Sequence, residues 1–208
     1  MSIVQQIIDA RIVAIVRLDQ YDRAVEVARA LVAGGVPVLE FTLTGTGALA
    51  AITSVRMALG DAVCVGVGSV LNPEQAQAAI DAGAQFAVTP ALRPHVIATC
   101  INRATPILCG GFTPTELLAA HEAGADLVKL FPAQAGGPRY LKDILAPLPF
   151  LRLVPTGGVS AANAREYLAA GAVALGIGGN LIAKAAVASG AFDQITAAAR
   201  ECVVAVGG

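Results

Sequence analysis

Eight times along the chain a short run of β-branched or otherwise apolar residues is followed by a longer, Ala-rich segment. The runs fall at 12–16, 38–42, 63–67, 86–89, 107–109, 127–131, 152–155 and 173–176. Their near-continuous apolar character suits strands covered on both faces, and parallel strands covered in this way need crossover helices between them. The intervening segments predict those helices at 21–33, 48–59, 73–82, 94–103, 114–123, 138–145 and 161–170, with a last one ending near Val206.

Local punctuation supports this division. Asn72-Pro73 and Thr113-Pro114 each put a capping side chain before a proline at the first helical position, and Ser160 is placed to cap the seventh helix. Helices also end on a repeated signal, at Gly34-Gly35, Gly83, Gly124 and Gly171, where glycine can take the left-handed conformation just before strands two, four, six and eight. Eight units in 208 residues leave about 26 for each, with no linker between them. A single (β/α)8 barrel spanning 1–208 is the simplest packing. An open doubly wound sheet would leave very apolar edges, and no Gly-x-Gly-x-x-Gly follows the first strand. At this length the barrel's loops must be brief.

Composition removes several function classes. Fourteen Lys+Arg against fifteen Asp+Glu leave a formal charge of −1, which argues against nucleic acid as a partner. Hydrophobic residues make up 56% of the chain, yet charged residues, Gly or Pro break every apolar run before it reaches membrane-spanning length, so no membrane role is expected. The first eleven residues lack the basic and apolar regions of a secretory signal, which implies a cytoplasmic location. The four cysteines show no Cys-x-x-Cys spacing and lie in apolar stretches, so reduced, buried thiols are favoured over disulfide or metal roles.

Barrel enzymes work at the C-terminal ends of their strands. Of the three lysines, Lys142 and Lys184 fall in helical segments, whereas Lys129 is embedded in the sixth strand. Burial there would lower its pKa and free the amine to attack a carbonyl; the plainer alternative is a lysine paired with a carboxylate. Glu40 sits mid-strand in the same way, as a general acid/base or as the ion-pair partner of Lys129 or Arg17. Arg17, ending the first strand, is either a fork for a substrate carboxylate or an exposed loop residue. The glycine turns Thr156-Gly157-Gly158 and Gly178-Gly179-Asn180 end strands seven and eight, where barrels often bind phosphate. The only histidines, His95 and His121, are helical, so neither a metal cluster nor a Ser-His-Asp set can be assembled.

In combination and order, these stretches resemble the 2-keto-3-deoxy-6-phosphogluconate (KDPG)/4-hydroxy-2-oxoglutarate (KHG) aldolase family over about residues 11–200. Leu39-Glu40, Gly66 to Gln75, Leu127-Val128-Lys129-Leu130-Phe131-Pro132 and Pro155-Thr156-Gly157-Gly158 carry the likeness. The resemblance implies Lys129 as the Schiff-base lysine and Glu40 as the general acid/base. It places Ser69 at the pyruvate end, with Pro90 and Phe131 as walls. Thr156, Gly157, Gly158, Gly178, Gly179 and Asn180 line the polar and phosphate end. Many members carry arginine where this chain has Thr44; Arg17 is read as taking over that carboxylate clamp. Asn180 stands where serine is common. The resemblance further implies no cofactor, pyruvate and a 2-keto acid phosphate as ligands, and a homotrimer. The implied activity is reversible cleavage of KDPG to pyruvate and D-glyceraldehyde 3-phosphate, with 4-hydroxy-2-oxoglutarate or 2-keto-3-deoxy-6-phosphogalactonate as the alternative substrate; a sugar-phosphate isomerase or epimerase, or a catalytically dead binding barrel, would keep the glycine turns without needing both Lys129 and Glu40.

Overall fold

A computed structural model describes residues 1–207. Eight parallel strands, β1 (Ile12–Val16), β2 (Val38–Thr42), β3 (Cys64–Gly68), β4 (Ala87–Val88), β5 (Ile107–Gly111), β6 (Leu127–Leu130), β7 (Leu153–Pro155) and β8 (Leu175–Ile177), form one sheet in the order β7-β6-β5-β4-β3-β2-β1-β8. The remaining seam is drawn together by a bridge between Thr156 and Gly176 and by the Val173 N–H donating to the Leu153 carbonyl at 3.0 Å. The sheet is thus a nearly closed barrel with helices around it.

The helices are α1 (Ile3–Ala10), α2 (Ala24–Ala33), α3 (Ala48–Leu59), α4 (Pro73–Asp81), α5 (Pro94–Asn102), α6 (Pro114–Glu122), α7 (Gly137–Leu145), α8 (Ala164–Ala169), α9 (Lys184–Ser189) and α10 (Phe192–Ala205). Asn72 caps α4 and Thr113 caps α6, as the sequence predicts, and the Glu116 side chain completes a reciprocal capping box on α6. Gly35, Gly83, Gly124 and Gly171 all take positive φ before the even-numbered strands. The expected last helix is α10, ending at Ala205, and the structure adds a short α9 before it, ended by Gly190 in the left-handed conformation. Ser160 does not cap α8; the Asn163 side chain instead accepts from the Ser160 N–H at 2.9 Å and donates to the Gly158 carbonyl at 2.9 Å. The N-terminal segment, assigned no element from sequence, is α1.

Side-chain alternation divides the apolar residues into two groups. Outward-facing residues such as Leu39, Val65, Ile107, Val128 and Leu153 pack under the helices in the main core. Inward-facing Val13, Val38, Cys64, Phe86, Val88, Leu108, Leu127, Val154 and Ala174 fill the N-terminal end of the barrel, joined by Ile7 of α1. Helix α1 therefore plugs the bottom and leaves the top as the way in.

Candidate active site

The inward-facing set continues along the same strands above this plug. Two residues after Val38 it reaches Glu40, and two after Leu127 it reaches Lys129. On β3 and β5 the matching inward positions are Gly66, Gly68 and Gly110. A methyl group at Gly68 would stand 2.5 Å from Glu40 Oε1, so the missing side chain is the space the carboxyl occupies.

Glu40 and Lys129 are 2% and 5% exposed. Neither belongs to the ion pairs formed among the described residues, which join Arg103 to Asp81, Arg139 to Asp143 and Lys184 to Asp19. The simple ion-pair role is thereby set aside. No buried side-chain nitrogen or oxygen among the described residues is sealed away without a partner, so these unpaired ends reach the accessible space of the barrel mouth. Burial pushes the Glu40 carboxyl above the usual carboxylate range, with the charges of Lys129 and Arg17 pulling the other way. Burial lowers the Lys129 ammonium, Glu40 opposes that shift, and Arg17 adds to it. The amine also sits 5.1 Å from the centre of the Phe131 ring. A lysine primed to lose its proton and a glutamate primed to hold one therefore share a single layer.

Over this layer opens a cavity of about 430 Å³, within the usual range for small-molecule sites. Of the residues singled out in the sequence, Arg17, Phe131, Thr156, Gly157, Gly158, Gly178, Gly179 and Asn180 line it. Lys129 and Glu40 lie at its inner end: the lining residue Ile15 is the register partner of Glu40, and Phe131 follows two residues after Lys129. Thr44, Ser69 and Pro90 are not in the lining. Thr44 spends its hydroxyl on Thr42, 2.8 Å away. Ser69 holds a positive φ of 61° immediately after Gly68, a sparsely populated conformation of the kind that gathers at ligand sites. Pro90 packs its backbone against the open face of Gly110.

The glycine turns are held from behind. The Ala133 and Gln134 N–H groups, in a 3-10 turn after β6, donate to the Thr156 and Gly157 carbonyls at 2.8 and 3.0 Å. Asn163 takes the Gly158 carbonyl, and the Asn180 amide donates to Val159 at 3.3 Å, tying the two turns together. Gly157 and Gly158 have φ of 91° and 78°, conformations that favour glycine. The N–H groups of Gly158 and Gly179 have no acceptor among the described residues and remain as donors for an anion.

Three contributors were missed in the sequence. Tyr21, assigned to a helix, donates its hydroxyl to the Val16 or Thr42 carbonyl, 2.9 and 2.8 Å away, pinning the ends of β1 and β2 beside Arg17. Asn163 carried a helix signal that pointed to Ser160. Lys184, set aside as helical, is the first residue of α9 and lines the cavity.

All four cysteines are buried and free, and burial pushes the Cys64 and Cys100 thiols up to about 11, which leaves them inert. No His, Cys, Asp and Glu cluster suited to a metal occurs among the described residues. No helix among them is long and apolar enough to cross a membrane.

A family profile described as "Aldolase: KDPG and KHG aldolase" matches residues 3–198. The 2-dehydro-3-deoxy-phosphogluconate aldolase of Treponema pallidum (strain Nichols) is 39% identical over 199 residues, 95% of this chain and 94% of that protein. The KHG/KDPG aldolase of Escherichia coli (strain K12) is 41% identical over 194 residues, 92% of this chain and 90% of that one. Among solved structures, KDPG aldolase from Legionella pneumophila, with pyruvate captured at low pH as a covalent carbinolamine intermediate, superposes with a TM-score of 0.88 at 28% identity, over 95% of this chain and 96% of the other.

Proposed function

The chain belongs to the KDPG and KHG aldolase family, and we propose that it cleaves 2-keto-3-deoxy-6-phosphogluconate reversibly, with Lys129 as the Schiff-base residue and Glu40 as the acid/base. The observation that carries this assignment is the buried, unpaired Lys129 sharing the barrel mouth with the buried, unpaired Glu40.

Lys129 attacks the C2 ketone; the carbinolamine loses water and leaves a protonated imine. Glu40, through a water molecule, removes the C4 hydroxyl proton. The C3–C4 bond then breaks toward the imine, releasing D-glyceraldehyde 3-phosphate and leaving pyruvate as its enamine. The protonated Glu40 returns a proton to C3, and hydrolysis frees pyruvate and the amine. The iminium serves as the electron sink, so the cycle calls for no cofactor or metal. Arg17 holds the keto-acid carboxylate. The backbone donors of Gly158 and Gly179 hold the phosphoryl group, with Thr156 and Asn180 beside them. Ser69, Pro90 and Phe131 shape the pyruvate end.

We also propose that the chain acts as one catalytic unit, in the cytoplasm, in a sugar-acid degradation route of the Entner–Doudoroff type, and as a homotrimer. The trimer reading rests on the resemblance to the family.

The test is pyruvate release, with a chelator present, from KDPG, its unphosphorylated analogue and 4-hydroxy-2-oxoglutarate. KDPG should show the highest kcat/KM, because phosphate binding energy positions the C4 hydroxyl. Equal efficiency on the phosphorylated and unphosphorylated substrates would favour 4-hydroxy-2-oxoglutarate, and inhibition by the chelator would contradict the lysine mechanism. Arg17→Ala should weaken all three substrates by about 10- to 100-fold, as expected for loss of a charge-assisted contact. An effect confined to the phosphorylated one would move Arg17 to the other end of the cavity.

A further inference from the structure

Just two charged side chains line the active-site cavity, Arg17 and Lys184, and both are cations. Arg17, an exposed residue following β1, is close enough to Glu40 and Lys129 for its charge to bear on both. Lys184 lies four residues beyond Asn180, on the segment that runs out of the second glycine turn. Its ammonium is held by Asp19, in the loop after β1, at 2.7 Å. Asp19 lies outside the active-site cavity. It lines a neighbouring one of about 440 Å³, and Lys184 belongs to the walls of both. Lys184 is therefore part of a partition, with an anionic partner on one side and the substrate space on the other.

We propose that Lys184 is a specificity-determining residue for the phosphoryl group, and that Asp19 is a positioning residue that holds the ammonium at the partition until that group arrives. The inference rests on placing the phosphoryl group at the glycine turns, and it adds a cation to their backbone donors. The Lys184 and Asp19 side chains are 58% and 86% exposed, so their pairing is weak and exchange is easy. A phosphoryl dianion offers more charge and more acceptors than one carboxylate, and a lysine ammonium on its flexible stem can turn to meet it. The other charges around the neighbouring cavity are Asp22 and Arg23; Arg23 is engaged with the Val187 carbonyl at 3.2 Å, and Asp22 makes no ion pair among the described residues.

The experiment runs the reaction in the condensation direction, pyruvate with D-glyceraldehyde 3-phosphate or with D-glyceraldehyde, and reads the ratio of the two kcat/KM values. Lys184→Gln should lower that ratio about tenfold, the loss of a charge-assisted contact discounted for exposure. Lys142→Gln, an exposed lysine on α7, gives the baseline for loss of one positive charge. Asp19→Asn should raise kcat/KM for the phosphorylated aldehyde by about two- to fivefold by freeing the ammonium. That gain should vanish in the double variant, since Asp19 acts through Lys184. A wild-type ratio in Lys184→Gln, or a gain from Asp19→Asn that persists without Lys184, would overturn the assignment. A wild-type enzyme that treats both aldehydes alike would remove the phosphoryl end itself, and the assignment with it.

Discussion

The two ends of the barrel are built from the same strands in the same alternation, yet they serve opposite purposes. The lower end is filled by Val13, Val38, Phe86, Leu108 and Leu127, and Ile7 closes it. Further along the barrel strands, the inward positions above carry Glu40, Lys129 and the glycines at 66, 68 and 110. The lower end removes volume and the upper end provides it. A buried carboxyl and a buried amine are costly anywhere in a protein, and they are tolerated here because missing side chains hold space for them and the apolar layer below fixes the strands that carry them. Stability is concentrated at one end and reactivity at the other.

The contrast predicts that substitutions at the two ends have separable effects. The largest is at the top: Glu40→Gln should slow turnover by about 10²- to 10⁴-fold while leaving imine formation detectable. The acidic limb of the pH profile of kcat/KM should also flatten, because in the wild type that limb follows ionisation of a carboxyl held above its usual range. Near-normal turnover, measured by coupled pyruvate assay, would demote Glu40 to a structural part. At the bottom, Leu108→Ala should cost about 2–5 kcal/mol of folding stability with little change in kcat for the folded fraction. A loss of turnover without a loss of stability, judged by denaturant titration, would erase the division between the ends.

Gly68→Ala tests the space itself. Its new methyl should push the Glu40 carboxyl aside and lower turnover by about 10²-fold, with stability changed far less, and a fully active variant would contradict the spacing argument. The smallest effect is on stability at the top. Because the folded state favours protonated Glu40, the cost of burying this group is absent at low pH and grows as pH rises from the ordinary carboxylate range through its raised folded value. Glu40→Gln should therefore stabilise the protein by about 0.5–2 kcal/mol at pH 8, and by less at pH 4. The opposite trend between those two pH values would mean that Glu40 is not held preferentially in its protonated form.

Where sequence reading worked, the physics was local. Strands, crossover helices and the left-handed glycines before even-numbered strands follow from apolar runs and from backbone preferences that neighbouring residues set. Lys129 and Glu40 stood out because a charge inside an apolar strand run is anomalous whatever surrounds it. Ring closure decided the rest. That α1 is a plug, and that Gly68 and Gly110 face inward opposite Glu40 and Lys129, are consequences of which faces meet once the barrel forms. Lys184 looked like an ordinary helical lysine because only the turn before α9 brings it to the mouth. The glycine that separates α9 from α10 was visible as Ser189-Gly190, but an Ala-rich stretch on both sides hid the break.

The central claim is that Lys129, alone among the three lysines, forms the covalent bond to the keto acid. Incubation with pyruvate and borohydride, followed by peptide mass analysis, tests it directly, since hydride fixes the imine in place. One reduced pyruvyl group on Lys129, with Lys142 and Lys184 unmodified, is the expected result; labelling at either of those lysines, or none anywhere, would contradict it.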